Sequence, residues 1–72
     1  MKLGNNVRRY RFERDELPQQ QLADALGVTR QTIFSIEKGK FVPSTLLALR
    51  IAKYFGTPVE NLFYIVEDHN TD

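Results

Sequence analysis

The residues whose types and spacing could do chemistry lie in one short segment, GVTRQTIFSIEKGK, from Gly27 to Lys40. If the segment is a helix, only Ile33 and Ile36 would anchor it, because they are its two apolar positions at helical spacing. Arg30 and Gln31 then lie away from that anchor. An arginine pairs with O6 and N7 of guanine, and a glutamine pairs with N6 and N7 of adenine. The segment is therefore suited to reading base edges, although Arg and Gln are also ordinary residues of an exposed helix.

Composition argues against catalytic chemistry. The chain has 72 residues, 42% hydrophobic and 26% charged, which predicts one small globular domain over residues 1–72. It has no cysteine, which excludes a disulfide framework and a cysteine zinc site. The one histidine, His69, lies in a polar C-terminal tail, and the sequence has neither a glycine-rich phosphate loop nor paired carboxylates in an apolar setting. We therefore expect no enzyme, metal, cofactor or small-molecule ligand.

Charge and hydropathy indicate where the protein acts and on what. No apolar run approaches the roughly 20 residues of a membrane span, and the N-terminal segment lacks a signal peptide's apolar stretch, so a cytoplasmic protein is expected. All ten Lys and Arg lie in residues 1–53 with five acids, whereas residues 54–72 hold four acids and no Lys or Arg. The first part is therefore suited to a polyanion and the second is not, unless the segregation is chance in a short chain.

Cap and turn signals divide the chain into five short helices and one strand. The first helix is predicted to begin after the asparagines at 5 and 6 and to end near residue 14. Thr29 and Ser44 are predicted N-caps of the third and fourth helices, and the fourth is apolar around most of its circumference, which predicts a central, well-buried element. Thr57, Pro58 and Glu60 together predict a capping box for the fifth helix.

Residues 19–38 carry the pattern of one particular helix pair. Ala23 is small enough for two helices to cross closely, and Gly27 permits a sharp turn with positive φ. Val28, Ile33 and Ile36 lie where they would anchor the third helix of the chain, which is the second of this pair, from below. This spacing predicts a helix-turn-helix, whose second helix lies in the major groove of DNA; the alternative is an ordinary αα-hairpin.

The segments QQLADALGVTRQTIFSIEKGKFVPS and LALRIAKYFGTPVENLF together resemble the phage Cro and repressor-type helix-turn-helix regulators. They are especially similar to the compact stand-alone regulators of cytolysin-repressor type, over about residues 4–66. The resemblance implies an all-α, lambda-repressor-like fold of five helices with a short terminal β-ribbon. It also implies a homodimer that binds a specific operator in double-stranded DNA. The chain departs from the family at Pro18, where a Ser or Thr cap is usual, and in RDELP, which is one residue longer than the usual connection.

The site residues follow from the third helix and its flanks. We predict base readout by Arg30, Gln31, Phe34 and Ser35, and phosphate contacts by Gln19, Thr29, Lys38, Lys40 and Ser44. Phe34 would either press on a thymine methyl or pack sideways on the loop around Phe41. The lysines are alternatively solvated loop charges. In the family pattern Arg11 and Glu37 pair between the first and third helices, which predicts a structural ion pair, unless Arg11 instead reaches a phosphate.

The C-terminal strand, predicted over residues 62–66, pairs with Met1–Leu3 and is apolar throughout, which implies cover on both faces. We therefore predict a homodimer interface formed by Leu62, Phe63, Ile65 and Val66. The alternatives are shielding by Val7 or Tyr10 of the same chain, or an interface along the fourth and fifth helices. The resulting hypothesis is a dimeric repressor that reads a near-palindromic operator. An antitoxin with a protein partner, or a protein-interaction module on the same fold, are the alternative functions.

Overall fold

The computed structural model describes residues 1–67 as five helices and a two-stranded antiparallel sheet, which confirms the predicted fold class. In chain order the elements are β1 Lys2–Asn5, α1 Val7–Glu13, α2 Gln19–Leu26, α3 Arg30–Glu37, α4 Thr45–Phe55, α5 Val59–Leu62 and β2 Phe63–Val66. The polar tail with His69 lies outside the described residues. No helix within residues 1–67 has the length and apolar character needed to span a membrane.

Local hydrogen bonds set most helix ends. Oγ of Ser44 accepts from the Leu47 amide at 3.1 Å, as an N-cap does. The predicted capping box at Thr57 is wrong: Pro58 is the N-cap of α5 and provides no side-chain bond. The Thr57 hydroxyl is used elsewhere, since it accepts from Nδ2 of Asn61 at 2.9 Å and bonds the Tyr10 hydroxyl at 3.3 Å.

One core joins all five helices. Its buried residues are Val7, Leu17, Leu22, Ala23, Leu26, Ile33, Ile36, Ile51, Ala52, Phe55 and Leu62. The prediction that α4 is buried on most sides is wrong, because Leu46 and Leu49 are 68% and 50% exposed. A domain this small has core on one side of each helix only, so an apolar residue on the far side of α4 stays in solvent.

The terminal ribbon joins the two ends of the described chain. Its register pairs Lys2 with Val66 and Gly4 with Tyr64. The Tyr64 ring covers Gly4 so closely that a Cβ at that position would lie 2.4 Å from the ring carbon Cε1. The strand begins at Phe63 and not at Leu62, which ends α5 and is completely buried. Leu62 therefore has no surface for a partner, and its assignment to a dimer interface is wrong.

Candidate nucleic-acid interface

The helices α2 and α3 meet through a three-residue turn. Gly27 adopts φ 72°, which is favourable for glycine, and the Val28 amide donates to the Ala23 carbonyl at 3.0 Å. The turn packs α3 against α2, and Ala23 of α2 is fully buried. Ile33 and Ile36 are also buried, so one face of α3 is held by the core and the opposite face is left in solvent. Such an outward-facing second helix is what major-groove binding requires.

Arg30, Gln31 and Ser35 lie on α3 away from its buried residues. Arg30 and Gln31 are exposed, and Ser35 is half-buried. Nε2 of Gln31 donates to Oγ of Ser35 at 3.2 Å, one turn along the helix. Arg30 forms no ion pair with any carboxylate of residues 1–67, so its guanidinium is free to meet a ligand.

Phe34 lies at the edge of this surface with 38% of its area exposed. The Lys38 ammonium lies 5.7 Å from the centre of its ring, within the range of a cation–π contact. Phe41 instead lines a groove beside the ribbon, together with Met1 and Leu3. Phe34, Arg30 and Lys38 line one cleft, so the ring of Phe34 lies on the same exposed side of α3 as Arg30.

The predicted phosphate-contact residues lie around the ends of α3. Oγ1 of Thr29 accepts from the Thr32 amide at 3.2 Å and so caps the start of α3. Lys38 and Lys40 are exposed beyond its end, on either side of Gly39, whose φ of 76° makes the turn. The Lys40 amide donates to the Ser35 carbonyl at 2.9 Å, which fixes this turn against the helix. Ser44, the cap of α4, follows on the same connection.

A polar cluster of Arg11, Glu37 and Gln19 fixes α3 from the inner side. Nε of Arg11 donates to Oε2 of Glu37 at 2.6 Å, and Nη2 donates to Oε1 at 3.0 Å. The third guanidinium nitrogen, Nη1, donates to the Leu17 carbonyl at 2.7 Å. The two side chains are 14% and 4% exposed, so the ion pair is shielded from solvent. This bidentate geometry restricts the angle of α3 relative to α1.

Gln19 was predicted to contact a phosphate, but its side chain is hydrogen-bonded within the protein. Its Nε2 donates to Oε1 of Glu37 at 3.0 Å, which completes the coordination of that carboxylate. Gln19 is also the first residue of α2, and the N-cap, Pro18, contributes no side-chain bond. The amide groups of the first turn of α2 are therefore uncapped by a side chain, and the helix dipole favours an anion there.

Asn5 is a positioning residue that the sequence analysis did not single out for this role. Its Nδ2 donates to the Ile36 carbonyl at 2.9 Å, and its Oδ1 accepts from the Val7 amide at 3.1 Å. One side chain thus connects β1, the start of α1 and the end of α3. The asparagines at 5 and 6 carried a helix-cap signal only, because a bond across 31 residues leaves no local pattern in the sequence.

Comparison with known proteins identifies this arrangement. A family model for a helix-turn-helix domain matches residues 9–62, which is most of the chain. The chain belongs to the helix-turn-helix family of transcriptional regulators. It is 48% identical over 66 residues to an uncharacterized HTH-type transcriptional regulator of Methanocaldococcus jannaschii, with 92% of this chain and 98% of the relative covered.

Two further members of the family match this chain, one over a shorter segment and the other at lower identity. The HTH-type transcriptional regulator YgzD of Bacillus subtilis is 49% identical over 51 residues, which cover 71% of this chain and 77% of YgzD. The cryptic phage CTXphi transcriptional repressor RstR of Vibrio cholerae is 34% identical over 69 residues, which cover 96% of this chain and 59% of RstR. Membership of the family makes this chain a DNA-binding regulator, and α2 and α3 have the arrangement of a helix-turn-helix.

Proposed function

We propose that the protein is a dimeric transcriptional repressor, acting in the cytoplasm, that binds a near-palindromic operator through α3. The observation that carries the proposal is the division of α3 into two faces. Ile33 and Ile36 are buried in the core, while Arg30 and Gln31 are exposed on the other side. The two exposed side chains have the donor and acceptor geometry that distinguishes guanine and adenine in the major groove.

Phosphate contacts would hold α3 in register. Lys38 and Lys40 follow α3, and the uncapped first turn of α2 lies at the other end of the unit. The Thr29 and Ser44 hydroxyls, which cap α3 and α4, are placed at two helix N-termini, where amide groups and the helix dipole attract phosphate. Contacts of this kind orient a protein on the duplex without reading its sequence.

The ribbon supports a second copy of the chain as the partner. Ile65 is 63% exposed, and Met1 and Val42, which line the groove beside the ribbon, are 75% and 67% exposed. The groove has a volume of about 260 Å³. We place the interface on Phe63, Ile65 and Val66. A symmetric dimer built there would carry two α3 helices, and half-sites one turn apart are separated by about 34 Å along the duplex.

The repressor role draws on a relative. RstR of Vibrio cholerae is named a transcriptional repressor. A small DNA-binding domain that occupies an operator blocks access to it without needing a catalytic site or an activating surface. We therefore favour repression as the regulatory role. We propose neither an enzymatic activity nor a bound cofactor.

Selection of bound sites from a random pool of duplex DNA tests the reading of sequence. The wild-type protein should enrich a near-palindromic site. Arg30→Ala should relax the preference at one base pair in each half-site, with a loss of about 1–3 kcal/mol on the selected duplex. Lys40→Ala is the matched control, because a phosphate contact should weaken every duplex equally and reduce the salt slope by about one. Equal loss on all duplexes with Arg30→Ala would contradict base readout, and absence of binding at low salt would favour a protein-interaction module.

Sedimentation velocity tests the dimer. Ile65→Asp should convert the protein to a monomer and remove most of the operator affinity, because a single half-site binds weakly. Leu49→Asp is the control, since Leu49 is also exposed and apolar but lies on α4. A dimer that survives Ile65→Asp and is lost with Leu49→Asp would place the interface on α4.

A further inference from the structure

Beside the reading face of α3, a cleft of about 370 Å³ opens toward α1. Arg8 of α1 lines it, and so do Arg30 and Phe34 of α3 and Lys38, which follows α3 directly. Glu37 and Arg11 form its inner wall together with Gln19. The cleft therefore extends the candidate DNA-binding surface from the helix-turn-helix unit to Arg8 of the first helix, a residue that was not among the predicted DNA contacts.

The charge of the cleft is positive. The single carboxylate on its wall, Glu37, is already bonded through both oxygens by Arg11 and Gln19. Within residues 1–67, Arg8, Arg30 and Lys38 form no ion pair with a carboxylate, and the Lys38 ammonium lies over the ring of Phe34. Three cations without a carboxylate partner thus surround a gap with an aromatic side chain at its edge. An anion of the size of a phosphodiester group would be attracted there.

We infer that Arg8 is a DNA-positioning residue that contacts a backbone phosphate when α3 lies in the major groove. The inference rests on the proposed DNA-binding function and adds α1 to the contact surface. On α1, Arg8 lies next to Arg11 and Phe12 at helical spacing, on the side that faces the cleft. A phosphate held by Arg8 and Lys38 on either side of Phe34 would fix the distance of α1 from the DNA backbone.

The adjacent residue on the same helix provides the control. Arg9 carries the same charge, but its Nε donates to Oε2 of Glu13 at 3.1 Å on the outer surface, and its side chain is 69% exposed. It does not line the cleft beside α3. Arg8→Gln and Arg9→Gln therefore remove one positive charge each at neighbouring positions, and only the first removes a contact with DNA.

Fluorescence anisotropy with two unrelated 24-base-pair duplexes, at several KCl concentrations, measures the contact. For Arg8→Gln we expect Kd to rise about 5–10-fold at 0.1 M salt and the salt slope to fall by about 0.9, equally on both duplexes. Arg9→Gln should change Kd less than twofold. Arg8→Lys should keep most of the slope, because a lysine keeps the charge. Thermal melting checks that each variant is folded.

Three results would overturn the inference. If Arg8→Gln and Arg9→Gln weaken binding equally, Arg8 contributes only to the general field of the protein. If Arg8→Gln weakens one duplex and not the other, the residue reads sequence and is not a phosphate contact. If the wild-type protein shows no salt-dependent binding, the proposed DNA-binding function fails and the inference fails with it, an outcome distinct from the first two.

Discussion

Replacing Arg11 by methionine should strongly destabilise the fold, because it leaves the Glu37 carboxylate buried without its cation. The methionine retains an unbranched apolar stem of similar length but removes two charge-assisted bonds to Glu37 and one bond to the Leu17 carbonyl. With its side chain 4% exposed, Glu37 would keep only the neutral amide of Gln19 as a donor. Breaking a buried ion pair by removing one partner costs about 3–5 kcal/mol.

That loss is large compared with the total stability of a small domain. Native domains are stable by roughly 0.05–0.15 kcal/mol per residue, which for this chain is about 4–11 kcal/mol. Arg11→Met should therefore remove between about a quarter and all of this stability, and it should lower the midpoint of urea denaturation in proportion. Circular dichroism at a fixed protein concentration measures it, since a dimer's apparent stability depends on concentration.

Two companion variants separate charge burial from other effects. Arg9→Met removes a cation from the same helix, but the Arg9–Glu13 pair is exposed, and a pair of this kind contributes less than about 1 kcal/mol. The double variant Arg11→Met, Glu37→Met removes both buried charges and should recover most of the loss. About 1 kcal/mol remains for each of two lost bonds, because the Leu17 carbonyl loses its donor and the Gln19 amide loses its acceptor. If Arg11→Met costs no more than Arg9→Met, the argument from charge burial is refuted.

Two further predictions concern backbone conformation. Glu16 lies in the connection between α1 and α2 with φ 55°, so Glu16→Gly should raise the free energy of unfolding by about 0.5–1 kcal/mol in the same denaturation assay. Glu13→Gly, at the last residue of α1, should lower it by up to about 1 kcal/mol, because glycine disfavours the helix and the exposed pair with Arg9 is lost. A loss at both positions would show that the left-handed conformation carries no strain. Gly4→Ala should distort the ribbon, because the new Cβ would lie 2.4 Å from the Tyr64 ring and 2.9 Å from Cγ2 of Val66. The same substitution in a Tyr64→Ala background should cost less, and equal cost in both backgrounds would show that the ring is not the obstacle.

The sequence predicts well what local bonds decide. The caps at Thr29 and Ser44 and the turn at Gly27 depend on residues at most five positions apart, so their signals are visible in the chain. The buried face of α3 can be predicted for the same reason, because its two buried residues, Ile33 and Ile36, are three positions apart in the sequence.

What the sequence leaves open depends on distant packing. Leu49 is as apolar as the core residues of α4, and only the size of the core explains why it stays outside. The amide of Gln19 bonds Glu37 and the amide of Asn5 bonds Ile36 across 18 and 31 residues, so neither contact has a sequence signature. Leu62 ends α5 instead of beginning β2 because it completes the core beneath the helices, which a run of apolar letters does not reveal.

The pairing of β1 with β2 also determines the order in which parts of the chain can fold during synthesis on the ribosome. Residues 2–5 cannot form the ribbon until residues 63–66 have left the ribosome, whereas the contacts between α2 and α3 are close in sequence and can form earlier. The helix-turn-helix unit should therefore take shape on the nascent chain before the ribbon closes. If copies assemble through the ribbon, assembly awaits chains synthesised through Val66, and neighbouring nascent chains on one messenger RNA are kept from pairing too early.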